Sequence, residues 1–198
     1  AITNNAAVSF NQSTNGTYSG AMSGSGSLAK SGAATLTLSG SKTYSGGTLV
    51  SGGMLTGDTT SLQGRITNNA DVTFNQSTNG TYAGVMSGSG TLFKTGSGTT
   101  TLSGANSYSG GTLVSAGELV GTTTSLQGAI TNTTTVTFNQ SINGTYAGVM
   151  SGSGTLSKKG SGTATLTGTS TYTGGVDLNA GGLVLVDGAI RLGQGSFV

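Results

Sequence analysis

A right-handed parallel β-helix, one all-β solenoid over residues 1–198, is the fold class that the sequence predicts, and three observations predict it. The chain writes one sentence nearly three times, its apolar residues alternate with hydroxyl residues over short runs, and glycine punctuates those runs. The copies are 1–64, 65–128 and 129–198, with Phe10, Phe74 and Phe138 opening the same Phe-Asn-Gln-Ser phrase. The first two copies agree at 46 of 64 positions, and self-similarity at a fixed period marks an array whose units stack on one another.

Within the first copy the runs are Val8-Ser9-Phe10, Gly16-Thr17-Tyr18, Ser27-Leu28, Thr35-Leu36-Thr37-Leu38, Thr48-Leu49-Val50 and Met54-Leu55. Period-two alternation over a few residues reads as strand, with Leu and Phe on one face and Ser or Thr on the other. Threonine suits such strands because its branched Cβ fits a pleated surface. No window carries a helical period of 3.6.

Between the strands lie Asn15-Gly16, Ser23-Gly24-Ser25-Gly26, Ser39-Gly40, Gly46-Gly47 and Gly52-Gly53, all turn signals. An Asn-Gly pair equally suits a two-residue hairpin, which would give an antiparallel meander. The spacing of the turns decides between the two. Val8-x-Phe10 with Tyr18-Ser19-Gly20 is echoed by Leu36-x-Leu38 with Tyr44-Ser45-Gly46, so that Leu36 follows Val8 by 28 positions and Tyr44 follows Tyr18 by 26. Three strands of ~5 residues plus turns make a coil of roughly 20 to 30 residues, so the echo reads as one coil of a three-sided helix. Each copy then makes about three coils and the chain about nine.

Coils ~4.8 Å apart would leave Phe10 and Phe74 three rungs from each other, so each inward aromatic is expected to stack on a Leu, Val or Ile of another coil. The chain has no proline, as expected of strands that are paired on both edges and need every backbone N–H.

Composition narrows the function. Only 6% of residues are charged and 33% hydrophobic, while Gly contributes 38 residues, so the core must be narrow. Disorder is excluded by register: Ile2, Val8, Phe10, Tyr18, Met22, Leu28, Leu38, Tyr44, Leu49, Leu55 and Leu62 all recur as apolar residues at the matching positions of the second copy, whereas Met54 becomes Glu118. With no Cys there is neither a disulfide framework nor a thiolate metal site, and with no His the usual general base is missing. Neither a membrane-spanning run nor a signal peptide is recognisable, and the piece reads as the interior of something longer. The net charge of +2 comes from scattered groups; Lys30, Lys94 and Lys158 recur a whole repeat apart and form no basic patch, so no nucleic-acid partner is expected.

Catalysis finds no constellation. The acids are Asp58, Asp71, Glu118, Asp177 and Asp187, none of them repeated: Glu118, for instance, matches Met54 and Gly182. A glycosidase pair or a calcium site would have to be assembled from unrelated positions. The Gly-Ser-Gly runs at 24–26, 88–90 and 152–154 are turns, since no Gly-Lys-Ser/Thr and no helix follows. Asn15-Gly16-Thr17, Asn79-Gly80-Thr81 and Asn143-Gly144-Thr145 fit an N-glycosylation pattern, but Asn and Gly are better explained by the turn.

Thr35-Leu36-Thr37, Thr99-Thr100-Thr101 and Thr163-Ala164-Thr165 recur once per three coils, too sparsely for a flat ice-binding face. Tyr18, Tyr44, Tyr82, Tyr108, Tyr146 and Tyr172 read as core or corner residues in preference to a sugar- or protein-binding ladder. Phe93, where the other copies hold Ala29 and Ser157, is the better candidate for an exposed apolar residue. No catalytic, cofactor-binding or metal residue, no cofactor and no small-molecule substrate is expected.

The stretch Gly152-Ser153-Gly154-Thr155-Leu156-Ser157-Lys158-Lys159-Gly160-Ser161-Gly162-Thr163-Ala164-Thr165-Leu166-Thr167-Gly168, continuing through Tyr172-Thr173-Gly174-Gly175-Val176 to Asn179-Ala180-Gly181-Gly182-Leu183, resembles the passenger-associated transport repeat of bacterial autotransporters. Gly88 to Leu119 carries the pattern again; the first copy departs at Ser31-Gly32-Ala33-Ala34 and Gly52-Gly53-Met54 but keeps its turns. The resemblance implies a right-handed parallel β-helix, exported through a C-terminal translocator barrel of the parent chain and displayed on, or released from, a Gram-negative cell.

The function expected on these grounds is the structural stalk or repeat region of an extracellular autotransporter-type protein, not an enzyme, with an adhesive surface and cell-surface partners within its scope. The alternative is a self-assembling filament or surface layer, joined head to tail through open β-helix ends such as Ala1 and Leu183-Val184-Leu185-Val186.

Overall fold

The computed structural model describes residues 1–186. Asp187 and the tail of the third copy lie outside the described residues. All regular structure among them is β, and every strand pairing is parallel, which settles the Asn-Gly turns against hairpins. The strands stack in three faces around a single apolar interior, as a solenoid of about nine turns. At ~4.8 Å per coil this makes a rod of about 43 Å.

The second face is laid down by Ala7–Asn11, Ser27–Ser31, Thr48–Val50, Ile66–Asn68 and Met86–Ser87. The third runs from Gly16–Tyr18 through Thr35–Leu38, Met54–Gly57, Asp71–Asn75, Thr91–Thr95, Thr112–Val114 and Ile130–Asn132 to Met150–Ser151. The first begins with Ile2–Thr3 and Met22–Ser23, passes the Lys42 bridge and the 58–62 corner, and continues as Gly80–Tyr82, Thr99–Leu102, Glu118–Gly121, Thr135–Asn139, Thr155–Lys159 and Val176–Leu178. The short strands at Ile2–Thr3 and Met22–Ser23 are too brief for an alternation signal.

Coil length corrects one expectation. The coil is shorter than the internal echo: Gly16 faces Leu36, Leu36 faces Leu55, and Leu55 faces Val72, steps of 20, 19 and 17 in residue number. Three coils thus carry the chain from Gly16 to Val72, and it must still travel to Gly80 before the next copy resumes the same strand. That remainder takes the chain about one face further around the axis. Ala7–Asn11, Asp71–Asn75 and Thr135–Asn139, the same strand in three copies, accordingly lie on the second, third and first faces. The longer echo is one coil plus the same one-face step.

The interior is lined by one inward row per face: Leu28, Val50, Ile66 and Met86 on the second, Leu36, Leu55, Val72, Leu92 and Ile130 on the third, Leu102, Leu119, Val136 and Leu156 on the first, all essentially inaccessible. Phe10, Phe74 and Phe138 do not rest on aliphatic neighbours alone, as expected from sequence. Each packs on the tyrosine eight residues on in its own copy, with ring centroids 5.8, 5.1 and 5.3 Å apart for Phe10–Tyr18, Phe74–Tyr82 and Phe138–Tyr146. The reason is local: eight residues turn a corner, so both rings enter the interior from adjacent faces. Gly57 and Gly121, the coil-below partners of Phe74 and Phe138, leave room for the rings.

Candidate functional site

The acids do not converge into a catalytic pair, and among the described residues no group of His, Cys, Asp or Glu is arranged to hold a metal ion. Asp58 serves its own corner: its Oδ1 accepts from the backbone N–H of Thr60 and Ser61 and from both their hydroxyls, at 2.7 to 2.9 Å. Burial works to raise this carboxyl, but those hydrogen bonds outweigh it and hold the group below the ordinary carboxylate value. Asp71 faces outward on the third face, in register between Met54 and Thr91. Glu118 and Asp177 lie on the first face.

What sequence reading missed lies inside. Lys30, Lys94 and Lys158 are completely buried, each in register directly above Phe10, Phe74 or Phe138. Among the described residues no carboxylate neutralises them. The Lys94 ammonium donates instead to the carbonyls of Thr95, Gly96 and Ala116 at 3.0, 2.8 and 2.9 Å. Lys30 does the same toward Ser31, Gly32 and Gly52 at 2.9, 2.9 and 2.8 Å, and Lys158 toward Lys159, Gly160 and Ala180.

An ammonium has three donors and no acceptor, so each lysine supplies a partner to two turn carbonyls of the glycine corners and a second one to the Ser31, Thr95 or Lys159 carbonyl, which already accepts from the backbone N–H of Gln12, Gln76 or Gln140. Two carbonyls belong to its own coil and one to the next, so the side chain ties successive coils together. Desolvation lowers the affinity of all three for their proton. The signal was present in the recurrence, once per copy, of a lysine followed by Gly two residues on, but composition rules place lysine on the surface.

Lys42, unique to the first copy, is buried in the same manner, donating to Ser39 and Gly40 carbonyls and lying 5.2 Å from the Tyr18 ring centroid. Asn106 and Ser170 hold its position in the other copies and accept from the backbone N–H of Met86 and Met150 instead.

The remaining singled-out residues take structural posts. Asn15, Asn79 and Asn143 accept through Oδ1 from the N–H of Thr35, Thr99 and Thr163, one coil on, at 2.9, 3.0 and 2.8 Å. Tyr44, Tyr82, Tyr108, Tyr146 and Tyr172 are buried and Tyr18 is partly buried, so no tyrosine ladder faces solvent. Phe93 points outward but is half-covered; Ile142, at 79% exposure, is the most open large apolar residue of those described.

On the first face the outward rows form a shallow groove of about 580 Å³ bordered by Thr99, Glu118, Thr135, Lys159, Asp177 and Asn179. Glu118 is held across several coils: Oε2 accepts from Thr99 Oγ1 at 3.2 Å, Oε1 from Thr137 Oγ1 at 2.5 Å, and Lys159 Nζ stands 3.8 Å away. That ion pair is the only one among the described residues. Asn179 is anchored by donating to Ser157 Oγ at 3.1 Å.

Comparison with known proteins returns one family. The passenger-associated-transport-repeat model matches residues 28–56, 92–120 and 156–185, so each matched segment begins within two residues of a buried lysine and holds both glycine corners that the lysine bridges. No curated protein and no solved structure matches the chain significantly. Three segments of the chain are therefore similar to the passenger-associated-transport-repeat, and they are set one face apart around one solenoid.

Proposed function

We propose that this chain is the structural stalk of an autotransporter-type surface protein, exported by a translocator barrel elsewhere in its parent and displayed on, or released from, a bacterial cell. The observation that carries the reading is the parallel stack of about nine coils, with one buried lysine in each copy clamping successive glycine corners together. The lysine ammoniums have their donors committed to carbonyls and the Asp58 carboxylate is committed to its own corner, so the buried charges serve the fold and not a reaction. The stalk acts as a spacer, and its outward rows are free to carry adhesion.

The test is sedimentation of the 198-residue chain over a wide concentration range, with micrographs of the same samples. A monomeric rod of about 43 Å is the expected result. Fibres one coil wide would overturn the spacer in favour of head-to-tail assembly, and a compact globule would overturn both.

A further inference from the structure

Homologous outward positions of the three repeats point in three directions, and there the copies diverge in chemistry. Ala29, Phe93 and Ser157 are one such set; Ser31, Thr95 and Lys159 a second; Leu49, Leu113 and Asp177 a third. The second face receives small and aliphatic residues and the third an aromatic beside a leucine. Only the first brings Lys159, Asp177 and Asn179 of the last repeat beside Glu118 of the preceding one, around a single groove.

We propose that this groove binds an uncharged glycan chain. Its border offers carboxylate acceptors at Glu118 and Asp177, ammonium and amide donors at Lys159 and Asn179, and hydroxyls of Thr135 and Thr155 that do both. A ligand rich in hydroxyls, each donor and acceptor at once, meets that mixture. Among the described residues no apolar side chain lines the groove, so a lipid or an apolar peptide would find nothing there to bury against. Two carboxylates against one ammonium repel a nucleic-acid backbone or a sulfated chain.

Glu118 and Asn179 are fixed in advance by their own hydrogen bonds, which lowers the ordering cost of binding. The assignment rests on the reading of a displayed stalk, yet its failure is separable, because rod length does not depend on the groove.

The repeats themselves suggest the variants. Asp177→Leu installs the residue that repeats 1 and 2 hold as Leu49 and Leu113, and Glu118→Met installs the Met54 of repeat 1. The 198-residue chain, isotope-labelled, would be titrated with maltohexaose, with mannohexaose and with a sulfated heparin hexasaccharide while amide shifts are followed. The expected result is a saturable shift with at least one neutral hexasaccharide at Thr135, Thr155, Asp177 and Asn179, weakened about tenfold in Asp177→Leu and in Glu118→Met. Any of three results overturns the proposal: no saturable shift with either neutral chain, shifts that both variants leave unchanged, or a response confined to the heparin fragment, which would reduce the groove to an anion contact of Lys159.

Discussion

The inward and outward rows of the same strands obey different rules. Inward, the large side chains are kept: Phe10, Phe74 and Phe138, then Lys30, Lys94 and Lys158, then Tyr44, Tyr108 and Tyr172 occupy matching posts, while Leu36, Thr100 and Ala164, and Lys42, Asn106 and Ser170, are buried posts that change. Outward, Ala29, Phe93 and Ser157 share a post with nothing in common. Interiors packed to crystal density tolerate little change, whereas a residue standing off a sheet meets mainly water and its rung neighbours. Because each copy is rotated by one face, this outward freedom gives the rod three chemically distinct sides from one repeated sentence.

The sharpest way to break the contrast is to alter one member of each row. Lys94→Met keeps the apolar stem but removes the donor from the carbonyls of Thr95, Gly96 and Ala116. The Thr95 carbonyl keeps the Gln76 N–H, but the other two lose their donor at roughly 1–3 kcal/mol each, so a loss of about 2 kcal/mol or more is expected. Outward, Phe93→Ser imports the residue of repeat 3 and should cost less than about 1 kcal/mol. Repeat arrays open locally, so the measurement is native-state hydrogen exchange, with protection lost around 92–120 for the lysine variant alone. Equal losses for both would erase the distinction.

Glycines sharpen it next. A Cβ on Gly110 would sit 2.4 Å from the Gly90 carbonyl oxygen of the coil below, whereas a Cβ on Gly175 meets nothing within 4 Å among the described residues. Gly110→Ala must therefore force successive corners apart, at about 2 kcal/mol or more, while Gly175→Ala is expected to be neutral within about 0.5 kcal/mol. Thermal unfolding of the two variants side by side reads the difference.

Alkaline pH probes the interior without mutation. Burial raises the phenol of Tyr172 to about 12 and those of Tyr82 and Tyr146 further, so these groups keep their protons when folded and lose them earlier when unfolded. Stability from the phenols is complete below the free value near 10.0 and is lost as pH climbs above it. The buried ammoniums carry the opposite sign. Lowered by desolvation, they favour folding increasingly as pH approaches the free lysine value of 10.5. Denaturation at a series of pH values should show stability holding or rising toward pH 10.5 and falling beyond it, with phenolate absorbance appearing together with unfolding. Phenolate absorbance well ahead of unfolding would place these tyrosines on the surface.

The two rows also explain what could be read from sequence. Strands around Phe10, Leu36–Leu38 and Leu49 were legible because period-two alternation and glycine punctuation are local, and the array because Phe-Asn-Gln-Ser recurs unchanged. The coil length was not: a copy holds no whole number of coils, so the strongest internal echo lands one face away and overstates the period. The lysines were misplaced for a related reason. Burial of Lys94 depends on carbonyls of Gly96 and Ala116, one of them in the next coil, and no pairing of that kind shows in a local pattern. The groove of Glu118, Lys159 and Asp177 was equally hidden, since only the one-face rotation brings their strands together.

The smallest effect tests whether the inward row is complete. Tyr44 and Tyr108 hydrogen-bond Thr48 and Thr112, their hydroxyls 2.6 and 2.9 Å apart. In the third repeat the matching residue is Val176, and the buried Tyr172 hydroxyl has no partner among the described residues. Val176→Thr restores the missing acceptor in the geometry that the chain already uses twice, so it should stabilise the last coils by about 1 kcal/mol. The converse change, Thr112→Val, orphans Tyr108 and should cost about 1–3 kcal/mol. Hydrogen exchange around 172–178 reads the gain. If Val176→Thr leaves protection there unchanged while Thr112→Val is costly, the Tyr172 hydroxyl has another partner, and the third repeat differs inside as well as out.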